Sequence, residues 1–445
     1  MIRRDALTEY SRGSLWFLPA IAAVLALLLG IILSHIPVSA TSRLAFQGTA
    51  DDARSLLITI AGTMVTVIAL LLGLAVVALQ LSSTQFSPRL LRNFLRDRPN
   101  QLVLSVFVGT FVYSAAGLFD VGISRGLRID QFPRFAVTVA IVLLFVSLAL
   151  LVFFADHLAH SLQIDSIMRT VERNTLGVLR GLPSGRTPPE IPDDAAVVRA
   201  RASGYIQYVR DDRLLALANR HGVNVSLRPR VGEHVAAGTP LAWIWPASPG
   251  SPPVNAAAFT GDLHELVRIG FERTLEQDPS LGLRQLVDAA CKALSPAVND
   301  PYTAIQAVHH LSVLYTELAR RRVGTIVIDD GAGPGTVVIP ARTIADHLDI
   351  GVGLIRRYGA SEPTVIHALL MALSAVVMAA DGDGNVADAV RYQADLLVRA
   401  AENQTAEPAD LRGVRAEYAT LQRLLNGPEP VSPPEASAPL SDRVS

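Results

Sequence analysis

Five uncharged polar residues stand together where a long apolar segment ends, and four arginines follow them closely. The polar residues, which we call the polar collar, are Gln80, Ser82, Ser83, Thr84 and Gln85; the arginines, which we call the exit cluster, are Arg89, Arg92, Arg96 and Arg98. Hydroxyl and amide groups can replace part of an ion's hydration shell, and arginines at a pore mouth concentrate anions. Arginines beside a membrane surface also bind lipid phosphate without any pore. The pattern therefore favours an anion path or a contact with anionic lipid headgroups.

A second group of polar residues follows the last long apolar segment. Asp156, His157 and His160 fall within little more than one helical turn. Two imidazoles and a carboxylate at that spacing are able to hold a metal ion. A solvated or headgroup-facing stripe on a helix that leaves the membrane is the more ordinary interpretation, so we predict neither a metal site nor a cofactor.

The sequence lacks the motifs that are typical of common enzyme classes. It has no P-loop, no Gly-x-Ser-x-Gly elbow, no His-Glu-x-x-His pair and no dinucleotide fingerprint. Glu233–His234 and His309–His310 are isolated pairs, which are more often surface or core residues. Cys291 is the only cysteine, which excludes an intrachain disulfide framework. We therefore predict that the chain is not an enzyme.

Hydropathy gives the elements that must position the polar collar. Among the 445 residues half are hydrophobic and 18% are charged, and the apolar excess lies before residue 156. Four segments, 15–36, 56–81, 102–121 and 135–154, are long and apolar enough to be predicted as membrane spans. The exit cluster makes the loop after the second span cytoplasmic by the positive-inside rule, which puts both termini on that side. Three arginines in the third loop, Arg125, Arg128 and Arg134, oppose this topology.

Small residues recur at helical spacing on two of the predicted spans. The residues are Gly62, Thr66, Ala69 and Gly73 on the second span and Gly109 on the third. Small side chains let helices approach closely, within one chain or between subunits. The stripe is therefore consistent with a homo-oligomer, although helix packing without any pore is the more ordinary explanation.

The rest of the chain changes character after the spans. We predict a membrane domain at 1–155, an exit helix and a Gly/Pro linker at 156–194, a small β unit at 195–254, a mainly helical cytoplasmic domain with one β-hairpin at 255–426 and a disordered tail at 427–445. The apolar residues from Leu263 to Phe271 are predicted to form one face of a helix. Two Asp-Pro steps, at Asp278 and Asp300, are predicted to begin helices, with proline at the first helical position. Their polar turns could also line a ligand site.

Residues 196–246 resemble half of a biotinyl or lipoyl carrier domain, a barrel-sandwich hybrid. The resemblance rests on short β runs and on Gly232 and Gly238, six residues apart within Val231 to Leu241. A carrier needs a lysine displayed on a hairpin, and this segment has none, because Lys292 is the only lysine in the chain. The resemblance implies a small β sandwich without carrier chemistry.

At the level of the whole chain, the sequence resembles the bacterial predicted-membrane-protein family known as domain of unknown function 2254. The features that carry the resemblance are the four spans, the Ser87-Pro88-Arg89 exit, the segment from Gly232 to Leu241 and the phrase from Gln277-Asp278-Pro279 to Asn299-Asp300-Pro301. The resemblance supports the topology and implies no activity.

The sequence leaves two functions open, of which the first is favoured and the second is the alternative. One is an oligomeric channel or transporter-like protein of the bacterial inner membrane, in which the second span lines a path that prefers anions. The other is a membrane-anchored sensor or scaffold without transport. The expected partners are the lipid bilayer, anionic headgroups and further copies of the chain; a net charge of −1 gives no reason to expect nucleic acid.

Overall fold

The computed structural model describes residues 16–34, 45–85, 98–122, 132–161, 163–248, 250, 254, 256–331 and 333–426. The chain divides into two compact units, Met1–Ile167 and Met168–Ser445, which we call the N-terminal and C-terminal units. The predicted tail at 427–445 lies outside the described residues.

Four apolar helices form the N-terminal unit. They are α1 (Phe17–Ser34), α2 (Ala50–Gln85), α3 (Arg98–Gly122) and α4 (Arg134–Ser161). Thr49 and Asp52 start α2 with reciprocal hydrogen bonds of 2.9 and 3.2 Å between their side chains and backbone N–H groups, which satisfies two donors of the first turn. The third helix is central, since α1, α2 and α4 all pack against it.

Three of these helices are long and apolar enough to cross a membrane, namely Ala50–Val77, Pro99–Leu118 and Arg134–Leu158. In α1 the apolar helix described spans only Phe17–Leu33, which is shorter than a bilayer normally requires. The described residues therefore support three of the four predicted spans.

The C-terminal unit combines helices with two small sheets. Its elements are α5 (Ile164–Gly181, which enters this unit at Met168), β1 (Ala196–Arg199), β2 (Gly204–Val209), α6 (Asp211–His221), β3 (Val223–Leu227), β4 (His234–Val235), β5 (Pro240–Pro246), α7 (Ala256–Leu266), β6 (Val267–Gly270), α8 (Pro279–Ala293), α9 (Pro301–Arg320), β7 (Ile326–Ile328), β8 (Val337–Ile339), α10 (Ile344–Gly359), α11 (Pro363–Ala379), α12 (Gly384–Gln404) and α13 (Arg412–Asn426). The strand order is β1-β5-β3-β8-β7 in one sheet and β4-β2-β6 in the other.

One apolar core joins the two sheets. It includes Ile206 of the smaller sheet, Val225 and Ile244 of the larger one, and Phe259 of α7, all buried. The predicted β-hairpin is confirmed: β7 pairs with β8 in antiparallel fashion. Because β8 also pairs with β3 in parallel, the hairpin extends the same sheet that contains the carrier-like segment.

The prediction of a helix through Phe271 was wrong in its second half. Helix α7 ends at Leu266, and Val267–Gly270 form strand β6, which pairs with β2. The apolar residues of this short run fit the helical period and the strand period equally well. The run becomes a strand because the edge of β2 offers backbone hydrogen-bonding partners. This strand leads directly into the loop that carries Asp278.

Candidate functional site

The described residues of the C-terminal unit form a cavity of about 550 Å³. Six segments line it: the end of α5, the junction of β2 and α6, the turn between β3 and β4, the loop before α8, the segment from the end of α9 into β7, and the segment from β8 into α10. The polar residues that line it are Asn174, Tyr208, Asp211, Arg230, Glu276, Gln277, Asp278, Ser280, Arg342 and His347. Cavities of this size commonly hold small molecules.

The loop before α8 is fixed to strand β2 by amide side chains. Gln277 accepts a hydrogen bond from the backbone N–H of Val209 at 2.9 Å and donates to its carbonyl at 3.0 Å. Gln207 donates to the carbonyl of Glu272 at 2.8 Å. In these bonds, amide side chains take the place of the backbone groups of a neighbouring strand. The loop is therefore held against β2 although it is not itself a strand.

Asp278 is the most buried carboxylate of the cavity, with 2% of its surface exposed. Its Oδ2 accepts hydrogen bonds from Nε and Nη2 of Arg273 at 2.8 and 2.6 Å. Burial raises the pKa of Asp278, while the charges of Arg273 and Arg342 oppose that rise. Helix α8 begins at Pro279 directly after Asp278, but the predicted side-chain cap is absent, because Asp278 makes no capping hydrogen bond to this helix.

The turn between β3 and β4 brings Arg230 to the cavity. Gly232 has a φ of +82° and donates its N–H to the carbonyl of Ile206 at 2.8 Å. A side chain at Gly232 would collide with the carboxylate of Asp278. Glycine is therefore required at position 232 for two reasons: the left-handed backbone conformation and the close approach of two polypeptide segments.

His347, in the first turns of α10, is the second buried polar residue of the cavity. Only 3% of its surface is exposed, and its Nδ1 has no hydrogen-bond partner among the described residues. Burial lowers its pKa to about 3, and the charges of Arg342 and Arg230 add to this effect against Asp346. The imidazole is therefore neutral at ordinary pH, with an unsatisfied nitrogen.

The remaining wall of the cavity is apolar. It is formed by Val178, Leu182, Pro183, Val231, Leu318, Val323, Ile326, Ile339, Pro340 and Ala341. An apolar wall combined with a few convergent polar groups is the usual composition of a small-molecule site. The arrangement can hold a ligand that has one polar end and one apolar part.

The polar collar and the exit cluster lie mostly outside the described residues. Helix α2 continues to Gln85, and Gln80 is exposed on it; the side chains of Ser82, Ser83, Thr84 and Gln85 are not described. Arg89, Arg92 and Arg96 fall between the described ranges, and Arg98 is the first residue of α3. The role predicted for these two groups stays a prediction.

The small residues of α2 and α3 have different surroundings. A side chain at Gly109 would lie 3.7 Å from Ala26, so this glycine of α3 packs against α1. A side chain at Gly62 or Gly73 would meet nothing within 4 Å. Thr66 and Ala69 lie on the same exposed part of α2, and the Thr66 hydroxyl donates to the carbonyl of Gly62 at 3.1 Å.

Among the side chains of the N-terminal unit that the structure describes, the buried polar groups are on α3 and α4. Thr110 and Ser147 lie 3.0 Å apart in hydrogen-bonding contact, and the Tyr113 hydroxyl donates to the carbonyl of Ala136 at 2.9 Å. Such bonds connect membrane helices where no water is present. These polar residues were not predicted as a group. The three-residue spacing of Thr110 and Tyr113 in the third apolar segment was the sequence feature that placed them on one side of a helix.

The other candidates do not converge on a site. Asp156 and His157 lie near the end of α4, where the His157 ring stacks on Phe153 at 5.8 Å, and the side chain of His160 is not described. The described residues contain no group of three residues able to hold a metal. His310 contacts Glu172, whereas His309 and His234 are exposed.

Comparison with known proteins agrees with the membrane helices. A family model described as predicted membrane protein (DUF2254) matches residues 12–375. The chain belongs to this family. Among its DUF2254 relatives are uncharacterized proteins of Mycobacterium bovis and Mycobacterium tuberculosis, each 43% identical over 451 residues, which cover 98% of this chain and 85% of the relative. No solved structure matches the chain.

Proposed function

We propose that this DUF2254 protein is a membrane-anchored binding protein, whose C-terminal unit takes up a small ligand in the cavity beside Asp278 and His347. One observation carries the proposal: a cavity of about 550 Å³ contains a nearly fully buried imidazole with an unpaired nitrogen. Buried polar atoms are nearly always hydrogen-bonded, so an unpaired nitrogen on a residue that lines a cavity supports a ligand or ordered water as its missing partner. In this proposal the protein senses or stores the ligand and catalyses no reaction.

The proposed topology keeps the four spans of the sequence analysis. Helix α1 crosses with α2, α3 and α4, both termini lie in the cytoplasm, and the membrane is the bacterial inner membrane. The exit cluster then lies beside anionic headgroups, which arginine binds through phosphate. A cysteine-accessibility assay in intact cells tests the orientation, with Ala409→Cys, an exposed position of the C-terminal unit, labelled only after the membrane is opened.

The ligand proposal is tested by obstructing the cavity. Gly177 lines the cavity on α5, and a side chain there would meet nothing within 4 Å, so Gly177→Trp places a ring at the cavity with little steric cost. Gly261→Trp is the matched control, because Gly261 is also an exposed helical glycine with open space around it but lies outside the cavity.

The measurement is native mass spectrometry of the full chain released from membranes, followed by identification of the small molecules that it carries. We expect the wild type and Gly261→Trp to retain a bound molecule and Gly177→Trp to lose it. Equal retention by all three chains, or a wild-type chain that carries nothing and binds no member of a metabolite panel, would contradict the proposal.

An oligomeric channel or transporter is the second candidate, and a specific observation favours it. The face of α2 formed by Gly62, Thr66, Ala69 and Gly73 is uncovered, whereas Gly109 of α3 is packed against a neighbouring helix. Close helix packing by small residues would allow a second copy to cover this face. The polar collar would then line a path at the subunit interface, with the exit cluster favouring anions.

Ion flux into sealed liposomes separates the two candidates. The purified chain is compared with a Gln80→Leu, Gln85→Leu double variant, using chloride, potassium and a small organic anion. Flux that disappears in the variant supports the channel, and replacement of Arg92 and Arg96 by Glu should then reverse its charge preference. No flux over a range of pH, voltage and osmotic stress leaves the anchored binding protein.

A further inference from the structure

We infer that the ligand of this cavity is a small organic anion, whose carboxylate or phosphate group lies between Arg230, Arg342 and His347. The inference rests on the proposed function, because it assigns the chemical class of ligand to the same cavity. It is carried by two guanidinium groups and one imidazole nitrogen on residues that line the cavity, none of which makes a hydrogen bond to another described residue.

The first step concerns the two guanidinium groups. Both are partly buried and line the cavity. Arg230 approaches the carboxylate of Asp346 only to 3.8 Å, which exceeds hydrogen-bonding distance. The guanidinium nitrogens of Arg342 make no hydrogen bond to another described residue. Arginine offers five N–H donors in a planar fork that matches carboxylate and phosphate, so both groups retain unused donors directed at this class of ligand.

The second step concerns the carboxylates that could compete for these arginines. Oδ2 of Asp278 already accepts two hydrogen bonds from Arg273. Asp346 accepts from the backbone N–H of Thr343 at 2.9 Å and so belongs to the capping box of α10. Both carboxylates therefore already accept hydrogen bonds from groups other than Arg230 and Arg342. Their negative charges still lower the positive electrostatic potential of the neighbouring arginines.

The third step is the charge around His347. Two cations, Arg342 and Arg230, and one anion, Asp346, are the charges that perturb this imidazole. The charges that act on His347 therefore sum to a net positive charge, although the acidic residues Asp211, Glu276 and Asp278 also line the cavity.

The fourth step is the unsatisfied nitrogen itself. In the tautomer with its proton on Nδ1, the neutral imidazole donates a hydrogen bond without needing a charge of its own. Helices α8 and α10 both begin beside the cavity, and their N-termini add partial positive charge. An oxyanion beside His347 would satisfy the imidazole and both arginines together, and the apolar wall would receive the body of the ligand.

The test uses the full chain in detergent at constant ionic strength, with chloride as the balancing anion. The probes are benzoate, phenyl phosphate, inorganic phosphate and the neutral benzyl alcohol. We measure affinity by calorimetry and the shift in the midpoint of thermal unfolding. At least one of the two aromatic anions should bind, and benzyl alcohol should not. Comparison of benzoate with phenyl phosphate identifies the headgroup, and weaker binding of inorganic phosphate would show that the apolar body contributes.

Charge-removing variants assign the binding to this part of the cavity. Arg342→Gln and Arg230→Gln should each weaken binding of the aromatic anion about tenfold or more, because each removes a charge-assisted hydrogen bond. Arg228→Gln is the matched control: it removes the same charge from an exposed arginine two residues from Arg230 and outside the cavity, so affinity should stay within about twofold.

Three results distinguish the outcomes. Equal binding of benzyl alcohol and benzoate, with affinity unchanged in Arg342→Gln and Arg230→Gln, would overturn the anion inference and leave the proposed function intact. If Arg228→Gln lost as much affinity as Arg342→Gln, general charge attraction would explain the weaker binding. That result would also overturn the anion inference. Absence of binding by every probe, together with no molecule lost in Gly177→Trp, would overturn both proposals.

Discussion

Two Asp-Pro steps begin consecutive helices of the C-terminal unit, and their aspartates make different interactions. Asp300 caps α9 in the usual way: its Oδ1 accepts the N–H of Thr303 at 3.1 Å, and its Oδ2 accepts the Thr303 hydroxyl at 2.6 Å. Asp278 makes no capping bond to α8 and is paired with Arg273 at the cavity. The same local sequence therefore provides a helix cap in one place and an ion pair at a cavity in the other.

The difference shows what a helix-start signal leaves undecided. Proline at the first helical position fixes the backbone of both turns. The side chain of the preceding aspartate is then free to bond the helix or a neighbouring segment. Thr303 stands three residues after Asp300, whereas the third residue after Asp278 is Leu281, which has no hydroxyl, and Arg273 lies close in space.

The largest expected effect comes from crowding Asp278. Gly232→Ala would press a methyl group into the carboxylate of Asp278 and would also impose a left-handed backbone on alanine. We expect a loss of about 3–4 kcal/mol in the free energy of unfolding, from strain plus overpacking. Gly238→Ala is the control, because Gly238 has a φ of +84° but open space around it; its cost should be about 1 kcal/mol. Equal costs in chemical denaturation would show that the contact with Asp278 is unimportant.

Removing the buried carboxylate comes next. Asp278→Ala leaves the partly buried Arg273 without its partner, for which we expect a cost of about 2–3 kcal/mol. It should also weaken ligand retention, because the loop at the cavity loses its anchor. The Arg273→Gln variant should destabilise the chain by a similar amount, and additive effects in the double variant would argue against a direct pair.

The capping aspartate should matter less. Asp300→Ala removes one N-cap bond and should cost about 1 kcal/mol, whereas Asp300→Ser should restore most of that stability. Ligand retention should not change, because Asp300 lies outside the cavity. A loss of ligand in Asp300→Ala as large as in Asp278→Ala would erase the contrast between the two turns.

The smallest effect, and the one that separates the turns by sign, is the response to pH. Bonds from Thr303 lower the pKa of Asp300 below its ordinary value of 3.8, so its stabilising effect is present above that value and is lost as pH falls through the folded pKa. Burial raises the pKa of Asp278, so the folded chain binds a proton above pH 3.8 and acidification there favours folding at this site. On acidification, the wild type should lose stability relative to Asp300→Asn. Relative to Asp278→Asn, the wild type should gain stability. Thermal unfolding midpoints across this range provide the measurement, and shifts of the same sign would contradict the assignment.

Much of the fold follows from local sequence. Helices α2, α3 and α4 were predicted from hydropathy, and the β7–β8 hairpin and the proline-initiated helices α8 and α9 from strand pattern and turn residues. Strand β6 was missed, because four residues from Val267 are too few to show whether their period is helical or extended. The pairing of β8 with β3 joins residues more than a hundred positions apart, which no local pattern encodes.

The candidate site was largely hidden for the same reason. The sequence drew attention to the polar collar and the exit cluster, because arginines and amides beside an apolar segment are visible as a run. Arg230, Asp278, Arg342 and His347 are isolated in the chain, and each is ordinary in its own neighbourhood. Gln277-Asp278-Pro279 was noted as a polar turn, yet its local pattern predicted a cap and not an ion pair.

The sequence by itself therefore determined the membrane helices, the helix boundaries at proline and the absence of the common catalytic motifs. These depend on apolar length and on backbone restrictions that act within a few residues. Only the tertiary structure decided that Asp278 meets Arg273, that His347 is buried near two arginines and that six separate segments line one cavity. Burial and charge depend on distance in space, and those distances exist only after the two sheets and their helices have packed together.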